Sequence, residues 1–269
     1  MASKNAILKE AVEGWLKMEK IIFIVMAKSY KQGGRCIAGK LAVFGQNNTV
    51  QVGSWVRPVP NDGTGRGALT RQMYCYEDGS EVKVLDIVEV SKLCSIEVPG
   101  QPENFVVDES KSWKKIGSLR ADTVPDIVDP IENIWLENDV STNIVTSKFD
   151  QHNGVSQSLC LIRPTSLLIT LCREYSGYEA RYKKKIYASF DYLGVRYENF
   201  SVTCPSARRI LSNQYPNEGE SAIIMPLRKG DDYVLCLSLS PRFGDLQYHY
   251  KLVATVFDFD GYLQGTYQA

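Results

Sequence analysis

The sequence predicts a mainly β chain built as two small barrels with a partly helical connector between them. Three observations carry that prediction. Short runs rich in Val, Ile, Leu and Phe recur with turn residues between them roughly every eight to twelve positions, the rhythm of small all-β folds. Residues 109–153 break the rhythm with mixed polar residues, Pro125 and Pro130, as an interdomain connector does. The second β-rich block then repeats a signature of the first, an apolar pair before Arg-Pro: Trp55-Val56-Arg57-Pro58 and Leu161-Ile162-Arg163-Pro164. Such an echo points to a duplicated fold.

Residues 1–17 read as a short amphipathic helical extension, with Ala6, Ile7, Leu8, Ala11, Val12, Trp15 and Leu16 apolar and Glu10 and Glu13 interrupting any signal-peptide core. Met18 is an alternative start. The first barrel is expected over 18–108. Its opening strand, Ile21 to Met26, hands over to a loop holding Lys28, Tyr30, Lys31, Gly33, Gly34 and Arg35. Strands are expected at Cys36–Phe44 and Thr49–Val59, joined by Gln46-Asn47-Asn48, then over 82–90 and at Asn104–Val107. The glycine-rich Asn61 to Ala68 is a surface loop; it lacks the glycine, lysine and hydroxyl order of a phosphate-binding loop. The connector, 109–153, holds a short helix around Ile131 to Leu136, and its Trp113, Ile127 and Trp135 imply that it packs on something. The second barrel, 154–269, has strands over 155–163, 167–172, 178–190, 195–202, 221–227, 233–240 and 247–257, and a helix at Ala207–Tyr215 capped by Ser206.

Composition narrows the function. Across 269 residues, 31 Lys and Arg balance 31 Asp and Glu, which excludes a protein that coats polyanions with its whole surface. Any nucleic-acid surface is local. Seven cysteines without C-x-x-C pairs and only two histidines speak against a zinc site and a disulfide framework, so no metal or cofactor is expected and the reducing cytoplasm fits best. No apolar run reaches the roughly eighteen residues that a membrane-spanning helix needs, so no membrane partner is expected.

Catalysis finds little support. His152 lies in a polar loop and His249 between two tyrosines, neither beside a nucleophile elbow. Asp258 with Asp260, and Asp86 with Glu89, are the nearest approach to a Mg²⁺-dependent nuclease pair, and they read more simply as a strand end, a turn and a strand face. The expectation is a non-enzyme. Basic and aromatic residues are better grouped: Lys28, Tyr30, Lys31, Arg35, Lys40, Trp55 and Arg57 in the first block, and Arg163, Arg181, Lys183, Lys185 and Tyr187 in the second. Cations seek phosphates and rings offer faces to bases. Trp55 is equally readable as core, and Lys183-Lys184-Lys185 as a solvated face. The sequence therefore points to binding of single-stranded or structured nucleic acid. A protein-interaction or small-nucleotide-sensing module is the alternative.

Several segments, taken together, resemble a known family: Ile22 to Lys31, Gly33-Gly-Arg-Cys-Ile-Ala-Gly39, Trp55 to Pro58, Leu85-Asp-Ile-Val-Glu-Val90 and Gln101-Pro-Glu-Asn104 are similar to the dual-OB-domain proteins of bacteria, found near mobile or defence-related genes. The resemblance is strongest over residues 20–107. It implies two OB-like β-barrels, with ligand across strands two and three of a barrel and its flanking loops, and hence Gly33 to Gly39 and Trp55 to Arg57 on or beside the binding face.

Overall fold

The computed structural model describes residues 19–45, 50–151, 154–226, 233–242 and 248–259. The expected helix over 1–17 lies outside these residues, as do His152 and Asp260. The first strand is β1 (Glu19–Lys31), followed by β2 (Gly34–Phe44), β3 (Val50–Val59), β4 (Asp86–Ser95), β5 (Asn104–Val107) and β6 (Lys114–Ser118). They pair in the order β1-β2-β3-β5-β4-β6, and β4 returns to β1, closing a five-stranded barrel. The closing strand β1 serves two neighbours: its front half pairs with β4 and its back half with β2. Between them, at Met26, the register slips by one residue. Such a bulge bends the strand around the barrel. Gly39 faces the bend, where a Cβ would stand 2.0 Å from the Ile24 carbonyl oxygen, so no side chain fits there.

The basic stretch after Ile21 to Met26 is strand rather than loop. β1 runs on to Lys31, and a two-residue turn, with Gly33 at φ +85°, reverses the chain into β2. The positive φ is why glycine stands there. The expected helix at Ile131–Leu136 is also absent; the segment is irregular, with Trp135 at φ +65° just beyond Pro130.

The second sheet contains β7 (Asn143–Val145), β8 (Leu159–Ile162), β9 (Ser166–Ser176), β10 (Arg181–Tyr192), β11 (Val195–Val202), β12 (Ile223–Pro226), β13 (Tyr233–Leu239) and β14 (Tyr248–Asp258). Two short helices are α1 (Thr146–Gln151) and α2 (Pro205–Ile210), the latter starting two residues before its expected first residue and ending well short of Tyr215. Strands β9, β10 and β11 form a meander, β11 runs parallel to β14, and β14 pairs with β13, which pairs with β8. β8 and β9 thus divide between them the two pairings that β1 makes alone. Pro164, which cannot donate to a ladder, interrupts the strand where the first barrel uses a bulge. The duplication is therefore one of topology. The Arg-Pro echo does not mark equivalent positions, because Arg57-Pro58 sits in β3 and Arg163-Pro164 at the break between β8 and β9.

Alternation along the strands distributes the three largest cores among the described residues. Phe23, Val25, Ile37, Val56, Val88 and Phe105 fill the first barrel. Ile162, Leu167, Ile169, Ile186, Phe190, Leu235 and Val253 fill the second. The opposite faces of the same strands meet each other: Ile24, Met26, Ala38, Ala42 and Trp55 from the first barrel pack with Leu159, Leu161, Val234, Cys236, Ala254 and Phe257 from the second. The bulge joins this contact, since the Thr255 hydroxyl donates to the Met26 carbonyl at 2.8 Å. The connector serves both sides. β6 pairs with β4, and β7 with the start of β14.

Candidate nucleic-acid interface

Three of the expected ligand-binding residues lie in the contact between the barrels. Trp55, Lys40 and Arg57 point away from the first barrel's interior, as their parity requires, but the second barrel covers them and each is at most 5% exposed. Asp129 of the connector organises the first pair: it accepts from Lys40 Nζ at 2.6 Å, Trp55 Nε1 at 2.9 Å and the backbone N–H of Leu161 at 2.7 Å. Lys40 also donates to the Ile127 carbonyl. Arg57 is held by Glu103 at 3.0 Å, with one guanidinium N–H donating to the Ser158 hydroxyl at 2.6 Å and another to the Cys36 sulfur at 3.5 Å. Ser158 in turn donates to Glu103. A charge buried in this way demands a partner and leaves no donor for a phosphate. These residues hold the barrels together, and the stacking face read into Trp55 is core.

Other expected residues separate. Lys31 turns toward the glycine-rich loop and donates to the Gly67 carbonyl at 3.0 Å; burial pulls its pKa below the ordinary lysine value. Arg181 and Lys183 both pair with Glu179. Lys185 and Tyr187 stand on the outer face of β10, where the Tyr187 hydroxyl donates to Glu174 at 2.7 Å, and burial followed by that bond pushes its pKa up. Arg163 is exposed at the break between β8 and β9.

The structure does bring Lys28, Tyr30 and Arg35 together, at the far end of the β1–β2 hairpin. There the hairpin meets the second barrel: the backbone N–H of Tyr30 donates to the Thr203 carbonyl at 2.9 Å. A cleft of about 370 Å³ opens between them, lined by Lys28, Tyr30, Arg35, Lys83, Ser206 and Arg209, among others. Tyr30 is 44% exposed, and two guanidiniums lie against its ring, Arg35 at 4.1 Å and Arg208 at 5.5 Å. Lys28 is committed to Glu81 at 2.7 Å. By contrast, Arg35, Lys83, Arg208 and Arg209 have no carboxylate partner among the described residues. Arg35 Nε is buried with no hydrogen bond at all. Uncompensated cations from both barrels thus converge on one exposed ring. The sequence reading missed Lys83, Arg208 and Arg209; an Arg-Arg pair just inside a helix after Cys204-Pro205 was the available signal. A larger hollow of about 720 Å³ borders Lys83, but Glu77, Asp78, Glu81 and Asp86 line it together with Lys114 and Lys115, so its charge is mixed.

Among the described residues, the carboxylates weighed for catalysis are committed elsewhere. Asp86 is buried and accepts from Tyr76, Ser118 and Lys115, and Glu89 pairs with Lys20. Asp258 is fully buried at the end of β14.

The first half closes as a five-stranded barrel, and the second repeats its strand order with β11 parallel to β14 as β3 is to β5. The family model for the dual OB-containing domain matches residues 21–256. The chain belongs to that family. Its match runs from β1 through β14, so the dual OB-containing domain takes in both barrels and the connector between them. No curated protein matches the chain. OB barrels offer strands two and three to oligonucleotides. In this dual OB protein that face of the first barrel is turned against the second, and an open cleft lined by cations lies beside it.

Proposed function

We propose that the chain binds nucleic acid through phosphates lodged in the inter-barrel cleft, as a binding module rather than a catalyst. The observation that carries this reading is the convergence of Arg35, Lys83, Arg208 and Arg209, none with a carboxylate partner among the described residues, around the exposed Tyr30 ring. An uncompensated cationic cleft attracts polyanions and releases their counterions. All seven cysteines are free thiols, in keeping with a cytoplasmic setting. The bacterial defence or mobile-element context belongs to the same proposal and rests on the family resemblance. The second reading, a free nucleotide as ligand, is favoured by the cleft volume of about 370 Å³, which suits one small molecule.

Fluorescence anisotropy with labelled RNA and DNA strands at about 50 and about 200 mM salt tests the proposal. Wild-type protein is expected to bind with a steep salt dependence. Arg35→Ala/Arg209→Ala is expected to weaken binding about tenfold or more and to flatten the salt slope by about two. Unchanged affinity and slope in that variant, with its fold intact, would sink the cleft as the polymer site. Tight binding of a mononucleotide, without salt-steep polymer binding, decides for the second reading.

A further inference from the structure

Outside the cleft, the most exposed aromatic group in the described residues is the β9–β10 hairpin. Tyr178, at its turn, is 98% exposed, Tyr175 60% and Tyr182 37%. Tyr175 and Tyr182 face each other in register with ring centroids 5.4 Å apart, edge to face. Burying a tyrosine ring is favourable, so three rings held in water on one turn ask for an occupant. Their parity identifies the surface. Tyr182 and Lys184 continue the face of Ile186, Ala188 and Phe190, and Tyr175 continues that of Ile169 and Leu171; these lower residues fill the second barrel. The tyrosines therefore extend the barrel's inner face beyond its mouth.

That face leads back to the cleft. Lys184 Nζ donates to the Ser212 carbonyl at 2.9 Å and stands 5.0 Å from the Tyr215 ring. Ser212 and Tyr215 follow directly on α2, whose Arg208 and Arg209 belong to the cleft and its Tyr30 ring. A helix of six residues is only ~9 Å long. Lys184 has no carboxylate partner among the described residues, while Arg181 and Lys183, on the opposite face, share Glu179. Lys184 thus places an uncompensated positive charge on the tyrosine side of the hairpin.

We propose that the β9–β10 hairpin is a stacking platform for unpaired bases, and that one strand runs from the cleft along α2 and past Lys184 to Tyr175, Tyr178 and Tyr182. The proposal rests on the polymer reading of the cleft and deepens it. Bases reach tyrosine faces only when they are not stacked in a duplex, so the ligand is single-stranded. Its site spans at least about 4 nucleotides, because both ends of the path must be reached.

The test measures anisotropy of single-stranded and duplex oligonucleotides of about 12 nucleotides, and of a short strand of about 3, against wild type, Tyr175→Ala/Tyr178→Ala/Tyr182→Ala and Tyr178→Ala. Wild type is expected to prefer the long single strand. The triple variant should lose roughly tenfold or more of that affinity, with duplex binding and salt slope kept. Tyr178→Ala should lose part of it; at 98% exposure this residue has no structural role to confuse the result. Equal wild-type affinity for strand and duplex, or full single-strand affinity in a folded triple variant, overturns the platform. The cleft is judged separately by Arg35→Ala/Arg209→Ala: loss there with no loss in the tyrosine variants removes the platform and keeps the cleft, and the converse removes the cleft. Absence of binding to every probe overturns both.

Discussion

The first barrel's β1–β2–β3 face and the second barrel's β9–β10–β11 face occupy the same place in the same topology, yet one is buried and the other is open. Both carry cations and an aromatic at alternate positions: Lys40, Trp55 and Arg57 on the first, Lys183, Lys185 and Tyr187 on the second. On the covered face each of these cations has a carboxylate partner, the partly buried Asp129 for Lys40 and Glu103 for Arg57. On the open face Lys183 and Tyr187 pair with neighbours on the same hairpin, Glu179 and Glu174. A basic and aromatic stripe therefore reports an outward face without saying what lies outside. What separates the two cases is where the counter-charge comes from: distant segments for the covered face, local ones for the open face.

The comparison is broken most severely at Arg57. Arg57→Ala leaves Glu103 buried without its guanidinium and is expected to cost about 3–5 kcal/mol, seen as a lower urea midpoint. Lys185→Ala on the open face should move that midpoint by no more than about 0.5 kcal/mol. If the two substitutions cost the same, the distinction between the faces fails.

A second clamp adds a pH dependence. Lys251, fully buried in β14, donates to the Asp139 carbonyl at 2.7 Å and lies 3.2 Å from its carboxylate, which Ser141 and Lys148 also hold. Burial alone would push Asp139 up; these hydrogen bonds and the Lys251 charge outweigh it and hold its pKa at about 2 against an ordinary 3.8. A depressed carboxylate stabilises the fold above its ordinary value, and that contribution, about 2 kcal/mol, disappears as pH falls through about 2. Melting temperature is expected to drop between about pH 4 and pH 2. Asp139→Asn should be less stable at neutral pH and lose this part of the slope. An unaltered slope in the variant would remove Asp139 as its source.

A further substitution sharpens the role of Trp55. Trp55→Phe keeps a ring in the shared core but removes the N–H that Asp129 accepts, and should cost about 1–3 kcal/mol with nucleic-acid affinity unchanged. A drop in affinity without a drop in stability would return Trp55 to the binding surface.

Much of the architecture was legible because it is local. Apolar, strand-like runs between turn residues located β2, β3, β5, β11, β13 and β14 within a few residues, and the Gly33-Gly34 pair announced a reversal, though the sequence placed a loop where β1 continues to Lys31. Of the site, Lys28, Tyr30 and Arg35 were legible as a cluster, though read as a loop rather than a hairpin. Arg208, Arg209 and Lys83 were not, because they reach the cleft from chain positions far from it. Asp129 and Glu103 were equally hidden, although a lysine and an arginine on a strand face of a barrel need such partners if that face is covered.

By itself, then, the sequence determined two blocks of alternating strands, their turns and the parity that sends Trp55, Lys40 and Arg57 outward. Only the tertiary structure decided that outward from the first barrel means into the second, and that the cleft's open charge lies beside Tyr30. The physical reason is that alternation is written in neighbouring residues and fixed by backbone geometry, whereas burial and charge compensation depend on which distant surfaces meet.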